Sequence, residues 1–582
     1  MLARTTTLSL RDADDDARAA MTQIAGSPTS VSGGRSRRIS LTRWIVPMAR
    51  HSVAAVLTLV LALGGACAQT GDRAEVPTRP SGESVSTDVY RVGYRYIRDR
   101  YVRAVSVRDV ALGGFKGLTT LDNQITVGAP GATVTVQHRT RRVAAFPAPH
   151  AQDYDGWAQV TSSVIQAAAG ASDAIARAGT DKIQQAILTS ALASLDGFSR
   201  YVPPADARES RALRNGYGGI GITVQQVQGQ LKVVSVMPGT PAETAGLRAD
   251  DAIVRIAGKP IIGLELREIV QQLRGPEGSR VILTVARAQV PQPLELAVVR
   301  RHIIPVAAIY RREGNIAYIQ VTRFLQGTAR QVARAVADAK REIGPNMAGI
   351  ILDLRDDPGG LLDQAIDVSD LFLSEGRIVA TVGRHPESQQ SYDARAGDIA
   401  SGIPIVLLVN SRSASSSEIV TAALQDNRRA VVVGSNTYGK GTVQTVFTLP
   451  NDGELILTWS RFHAPSGYAL QDLGVLPNLC TARKGASAQA IIRTLAVNDV
   501  RTNQVFRQWR ASTVPNAARS KPLRAHCAAD PSDTARREID LQVAKALLSE
   551  PTLYQRALLV ANGPQSAFRT RRESDLPDPE EQ

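Results

Sequence analysis

Ile405-Val406-Leu407-Leu408-Val409-Asn410-Ser411-Arg412-Ser413-Ala414-Ser415-Ser416-Ser417-Glu418-Ile419 runs from five branched aliphatic residues, through a serine-rich turn, into an amphipathic stretch. Such a short apolar run before turn residues reads as a strand buried on both faces, and the stretch after it as a helix. The same alternation extends outward, with strands expected at 316–321, 348–354, 403–409 and 430–433 and helices at 328–342, 361–372 and 418–424. It predicts α/β layers with sites at the strand ends. A serine at the strand-to-helix junction can be presented at the positive helix end, among unpaired N–H groups suited to an oxyanion. Ser415-x-x-Glu418 is equally a capping box, in which the serine only satisfies helix amides, and the segment alone favours the cap.

A second segment, Val431-Val432-Val433-Gly434-Ser435-Asn436-Thr437-Tyr438-Gly439-Lys440-Gly441-Thr442-Val443-Gln444, leads a strand through a glycine turn to Lys440. Gly434 to Lys440 has the G-x-x-x-x-G-K spacing of a phosphate-binding loop. That loop needs Ser or Thr after the lysine and then a helix, whereas Gly441 follows and 442–449 alternates like a strand, so nucleotide hydrolysis is discounted.

Ser413-Ala414-Ser415-Ser416-Ser417-Glu418 and Gly439-Lys440-Gly441-Thr442-Val443-Gln444 together resemble the C-terminal processing peptidases, or tail-specific proteases, over roughly residues 85–480. The resemblance implies a Ser415 nucleophile, a Lys440 general base 25 positions on, and Gln444 to orient the lysine. Positions 440 and 444 share a face in either a strand or a helix. Asp353-Leu354-Arg355-Asp356-Asp357-Pro358-Gly359-Gly360 resembles the family's glycine pair, implying that the backbone N–H groups of Gly359 and Ser416 hold the oxyanion. Asp357 stands where asparagine is usual and Ser416 where alanine is. Ser416 would contribute only backbone, but Asp357 brings a negative charge near the site. A lysine base must come from a pKa near 10.4 to near neutrality, about 4 kcal/mol of differential stabilisation, which burial against apolar strands could supply.

Between these elements and the N-terminal region, 216–287 reads as short strands, tight turns and one helix. Gly219-Ile220-Gly221-Ile222 can converge backbone N–H groups into an anion nest or form an ordinary tight turn. With Ser235-x-Met237-Pro238-Gly239-Thr240-Pro241-Ala242-x-x-Ala245-Gly246-Leu247-x-x-x-Asp251, the segment resembles a PDZ domain. That implies capture of a free C-terminus by strand addition, with Gly219, Ile220, Gly221 and Ile222 at the carboxylate loop and the two isoleucines walling an apolar pocket. Pro291 and Pro293 interrupt the pattern beyond it, suggesting a hinge around 287–300.

The expected organisation is multidomain α/β. Residues 1–68 are targeting segment and signal peptide, 69–84 linker and 85–215 a mainly helical N-terminal domain. A PDZ-like unit follows at 216–290, the α/β protease core at 300–482, a helical C-terminal extension at 487–570 and an acidic tail at 571–582. Ser36-Arg37-Arg38 and Arg43, an apolar run from Val53 to Leu63, and Ala66-Cys67-Ala68 have the order of an export signal, with Met48 an alternative start. Export to the periplasm of a Gram-negative cell follows as an expectation. Cleavage after Ala68 and lipidation of Cys67 remain open, and with them membrane association.

With 582 residues the chain is too long for one core. Its 43% hydrophobic and 21% charged residues are those of a globular protein. The formal charge of +14 comes from scattered arginines, not an aromatic-laced stripe, so nucleic acid is not expected as a partner. Expected partners are proteins with free apolar C-termini; an adaptor stays open. Cys480 and Cys527 remain after signal removal, either as a disulfide or as two unrelated thiols. His302, His385 and His463 sit in no base motif, there is no His-Glu-x-x-His, and no metal or cofactor is expected. A silent scaffold that binds C-termini, with Ser415 as a helix cap, is the rival to the protease.

Overall fold

The computed structural model describes residues 82–562 except 228, 484, 497–499 and 529–535. The expected targeting segment, most of the linker and the acidic tail lie outside the described residues. Six strands form the central sheet, in the order Ala308–Glu313, Ile316–Val321, Gly349–Asp353, Ile405–Val409, Ala430–Gly434 and Leu479–Cys480. The first pair is antiparallel and every later pair parallel.

Strand periodicity explains why these runs are apolar throughout. Ile350, Leu352, Ile405, Leu407 and Val409 face a core shared with the helices Thr328–Ile343, Leu362–Asp370 and Ser416–Asp426. Ile351, Val406, Leu408, Val431 and Val433 face the other way, onto Ala488, Ile491, Val543, Leu547, Leu548 and Tyr554. Alternation across a parallel sheet needs apolar cover on both faces. The C-terminal helices Arg536–Ser549 and Pro551–Asn562 are therefore the second layer of this sheet, and not the separate extension that their polar sequence suggested.

A second, antiparallel sheet carries Gln390–Asp393, Arg377–Val382, Glu454–His463 and Thr442–Thr448, joined by Arg200–Val202 from the N-terminal region. The N-terminal helices Gly82–Arg100, Val107–Phe115, Tyr154–Ala171 and Thr180–Ala193 pack one core with Leu455 and Leu457 of that sheet and Leu449 just past its strand Thr442–Thr448. The first begins at Gly82, inside the expected linker. The helical run from Tyr154 to Ala193 is interrupted at Ser172, whose hydroxyl caps a new helix, and at Gly179 with φ 78°. A three-stranded sheet, Ile125–Gly128, Thr133–His138 and Arg141–Pro147, lies between the second and third of these helices in sequence.

The small β-rich unit is an antiparallel sheet of Leu294–Val299, Arg280–Ala286, Ala252–Ile256, Gln230–Val236 and Ile222–Val227, with the helix Leu266–Leu273. Its last strand overrides the expected boundary at 290 and the hinge over 287–300, because Pro291 and Pro293 fall in the turn of a hairpin that pairs Arg280 with Val299. The chain reaches and leaves this unit through a two-stranded ribbon, Tyr217–Gly219 against Arg301–Ile303. Arg300, buried beside the ribbon, donates to the Leu273 and Gln272 carbonyls, closing the C-terminus of the unit's helix where a cation is favoured.

Candidate active site

Ser415 sits where the buried strand Ile405–Val409 turns into the helix Ser416–Asp426. The turn is tied on both sides: Ser413 Oγ donates to the Leu354 carbonyl at 2.8 Å, Ala414 N to the Asp357 carbonyl at 3.0 Å, and Tyr438 N to the Ser413 carbonyl at 2.9 Å. Ser415 adopts φ 56° and ψ −113°. An N-cap residue ordinarily takes β-region angles, and a non-glycine in this region costs on the order of 1–3 kcal/mol. Ser415 does complete a capping box with Glu418, but the strained backbone is that of a residue held up by its surroundings at a sharp strand-to-helix turn, the setting in which hydrolases expose a nucleophile. Its residual exposure is 9%.

Glu418 is the hub. Fully buried, its Oε1 accepts from Thr437 Oγ1 at 2.5 Å and Gly439 N at 2.6 Å, and its Oε2 from Ser415 N at 2.7 Å and Lys440 N at 2.9 Å. Burial raises its pKa, and these four donors act in the opposite direction. Sequence reading found Glu418 only as a capping partner. That it also anchors a loop some twenty residues on carries no local signal.

Lys440 is half-buried, with its pKa lowered by burial first and by the Arg200 charge second, against a raising contribution from Glu418. Its Nζ lies 5.4 Å from the centre of the Phe198 ring. Among the described residues no hydrogen bond joins that amine to the Ser415 hydroxyl. The two segments are brought together through backbone, with the side-chain dyad unclosed. Phe198 and Arg200, which flank the lysine, belong to the N-terminal region and arrive through the strand Arg200–Val202. Only that tertiary pairing reveals their role.

Gln444 is not placed on Lys440. Its Nε2 donates to Thr442 Oγ1 at 2.8 Å and Thr458 Oγ1 at 3.4 Å. The strand begins only at Thr442, so the alternation on which the shared-face expectation rested does not reach Lys440, and the register shift beside Gln444 puts its extra residue, Trp459, on the partner strand.

Gly359 packs against the nucleophile turn. At φ 90°, a Cβ there would lie 2.9 Å from Ser415 Cβ and 2.8 Å from Ser416 N, so the close approach requires glycine. The two backbone groups expected to hold an oxyanion are thus adjacent, but the Gly359 N–H is engaged by Asp357 Oδ1 at 2.8 Å. Asp357 is fully buried, with its pKa pushed up to about 7, mainly by desolvation.

In the small unit, Gly221 has φ 85° and its carbonyl accepts from Met237 N, while the Ile220 carbonyl accepts from Ala242 N, both at 2.9 Å. Gly219 closes the ribbon strand. Ile220 belongs to the unit's own core, so only the half-buried Ile222 remains of the pair expected to wall a pocket. Cys480 and Cys527 are joined by a disulfide, with Cα atoms 5.8 Å apart. His463 is buried, its pKa lowered to about 4 chiefly by desolvation, with Nε2 on the Thr513 carbonyl.

The sequence model of Peptidase family S41 matches residues 315–480, and that of the PDZ domain residues 232–287. A Bartonella bacilliformis carboxy-terminal-processing protease is 42% identical over 300 residues, covering 51% of this chain and 69% of the relative. The chain belongs to peptidase family S41. A Synechocystis carboxyl-terminal-processing protease is 33% identical over 341 residues, 56% of this chain and 79% of its own. Among solved structures, the photosystem II D1 C-terminal processing protease aligns at 22% identity and TM-score 0.34 over 68% of this chain and 92% of its own. As an S41 member the chain is a serine peptidase with a PDZ domain, and the strand-turn-helix around Ser415 and the loop of Lys440 both fall inside the matched segment.

Proposed function

We propose that this S41 peptidase is an exported endopeptidase that takes a free, apolar C-terminus of a protein substrate into its PDZ domain and cleaves the chain through a Ser415 acyl-enzyme. The observation that carries the reading is the shared Glu418 anchor: one buried carboxylate fixes the backbone of a strained serine and of a lysine whose ammonium form is disfavoured.

In this mechanism the Lys440 side chain turns off the Phe198 face toward Ser415. Neutral Nζ takes the Oγ proton as Oγ attacks the scissile carbonyl carbon, and the resulting ammonium protonates the departing amine. Lys440 then deprotonates the water that attacks the ester and returns the proton to Oγ as the acyl group leaves. Backbone N–H groups at Gly359 and Ser416 would stabilise the oxyanion, each about 2.7–4 kcal/mol. Export is supported by the charged and apolar order of residues 35–68 and by the disulfide, which persists in an oxidising compartment.

Purified protein is expected to cleave a peptide with an apolar free C-terminus and to lose most of that turnover, with KM raised, when the terminus is amidated. Equal turnover of both would contradict tail recognition. Fractionation of the native host should place the protein outside the cytoplasm, and recovery with the cytosol would contradict export.

A further inference from the structure

The one feature of the site that a serine peptidase does not call for is a carboxyl group on its oxyanion donor. Asp357 closes a tight turn in which Oδ1 accepts the Gly359 N–H at 2.8 Å, its carbonyl accepts from Ala414 N and Ser417 Oγ, and its side chain is fully buried. Oδ2 has no hydrogen-bond partner among the described residues. A buried carboxylate with one bare oxygen is costly, and a proton on that oxygen removes most of the cost.

The surrounding charges do not supply a counter-ion. On its own segment Asp353 is held by Arg355, and Asp356 pairs with Arg412 and Arg537. On the packed helix Glu418 is occupied by four donors, and Lys440 in the facing loop stands over Phe198. The Gly359 N–H, the Ser417 hydroxyl and, from a neighbouring loop, the Arg323 charge favour the ionised form, and burial outweighs the three.

We propose that Asp357 is a positioning residue of the oxyanion site, acting through the Gly359 amide: as a neutral acid it leaves that amide able to bond the developing oxyanion, and as a carboxylate it captures the amide and sets a like charge beside the reacting oxygen. The inference deepens the Ser415–Lys440 reading and rests on it. No bond is made or broken by Asp357; it exchanges one proton with solvent. Its consequence is an enzyme whose alkaline limit is set beside the oxyanion and whose acid limit is set by Lys440. This opposes the monotonic rise expected of a lysine base alone. The carboxyl titrates near pH 7.

The test is the ratio of kcat/KM for Asp357→Asn to that of the parent across pH, since the Lys440 titration is common to both and cancels. If the ionised form is inactive, the ratio should climb between pH 5.5 and pH 8.5 by about 30-fold, following the titration of a single group. A ratio independent of pH would overturn the proposal and leave Asp357 a structural turn residue. Should the asparagine variant fail to fold, a peptidyl boronate, whose tetrahedral anion occupies the same place, reports on the parent. Its affinity should fall above pH 7 while binding of uncleaved substrate to Ser415→Ala stays level, and parallel profiles would refute the idea. Parental turnover by Ser415→Ala would overturn the active-site reading itself. A dead Ser415→Ala with a flat ratio would overturn only the role of Asp357.

Discussion

The backbone N–H of Ser415 and the backbone N–H of Lys440 donate to the same oxygen, Oε2 of Glu418, at 2.7 and 2.9 Å. Nucleophile turn and lysine loop are thereby one rigid assembly even with the lysine amine over Phe198. Glu418→Gln keeps the shape but turns an NH2 toward one pair of donors. Each charged hydrogen bond lost should cost roughly 1.5–3 kcal/mol. The variant should unfold at lower denaturant and lose on the order of 100-fold in kcat/KM, the scale of a displaced catalytic geometry. Parental turnover would show that the anchor does not position the dyad.

Arg200 tunes the lysine from the neighbouring strand. Its positive charge disfavours the protonated amine, so Arg200→Gln should raise the Lys440 pKa and move the acid limb of kcat/KM to higher pH. A pH–rate profile reads this directly, and a shift to lower pH would contradict the sign.

The lysine loop is also held by the helix Ala517–Arg524 and the turn Ala525–Cys527 that follows it. Arg524 donates to the Leu473 carbonyl at 2.6 Å and the Thr437 carbonyl at 2.9 Å, Asn436 N donates to the Cys527 carbonyl, and Cys527 is bonded to Cys480 across 47 positions. Closing a loop of that length stabilises the fold by about 4 kcal/mol on the chain-entropy account. Cys527→Ser should therefore lower the unfolding midpoint. Arg524→Ala should lower kcat about tenfold with little change in KM, the signature of lost positioning. Denaturant unfolding and steady-state kinetics check the two.

Arg355 joins the glycine-turn segment to the second layer, bonding Asp353 and, in the helix Arg536–Ser549, Asp540, whose Oδ1 accepts from Thr481. All three charged groups are buried. Arg355→Met leaves two carboxylates unpaired and should destabilise the protein by about 3–5 kcal/mol. Calorimetric unfolding near the parental midpoint would contradict it.

The strand–helix alternation was legible because five-residue aliphatic runs have no other comfortable fold, whereas the roles of Ser415, Lys440 and the Gly359 turn came from the likeness of their motifs to the C-terminal processing peptidases, since the Ser415 segment alone favours a helix cap. The layer formed by Val543, Leu547 and Tyr554 was not, since an amphipathic helix announces that it buries a face but not against what. Gln444 bonds Thr442 and Thr458 rather than the lysine, because strand alternation starts at Thr442 and says nothing of how the preceding loop turns Lys440. Pro291 and Pro293 read as a hinge, although prolines suit a hairpin loop equally well. Phe198 and Arg200 reach the site through a pairing 254 residues apart in sequence, Leu455 to Tyr201, which no local pattern encodes.

The central claim, that Ser415 attacks with Lys440 as its base, is tested most directly by covalent labelling. Parent protein treated with a peptidyl phosphonate and digested for mass spectrometry should carry a single adduct on the peptide containing Ser415, formed with loss of activity. Lys440→Ala, folded by its circular dichroism, should label at least a hundredfold more slowly. An active parent labelled elsewhere, or a Lys440→Ala variant labelled at the parental rate, would contradict the account.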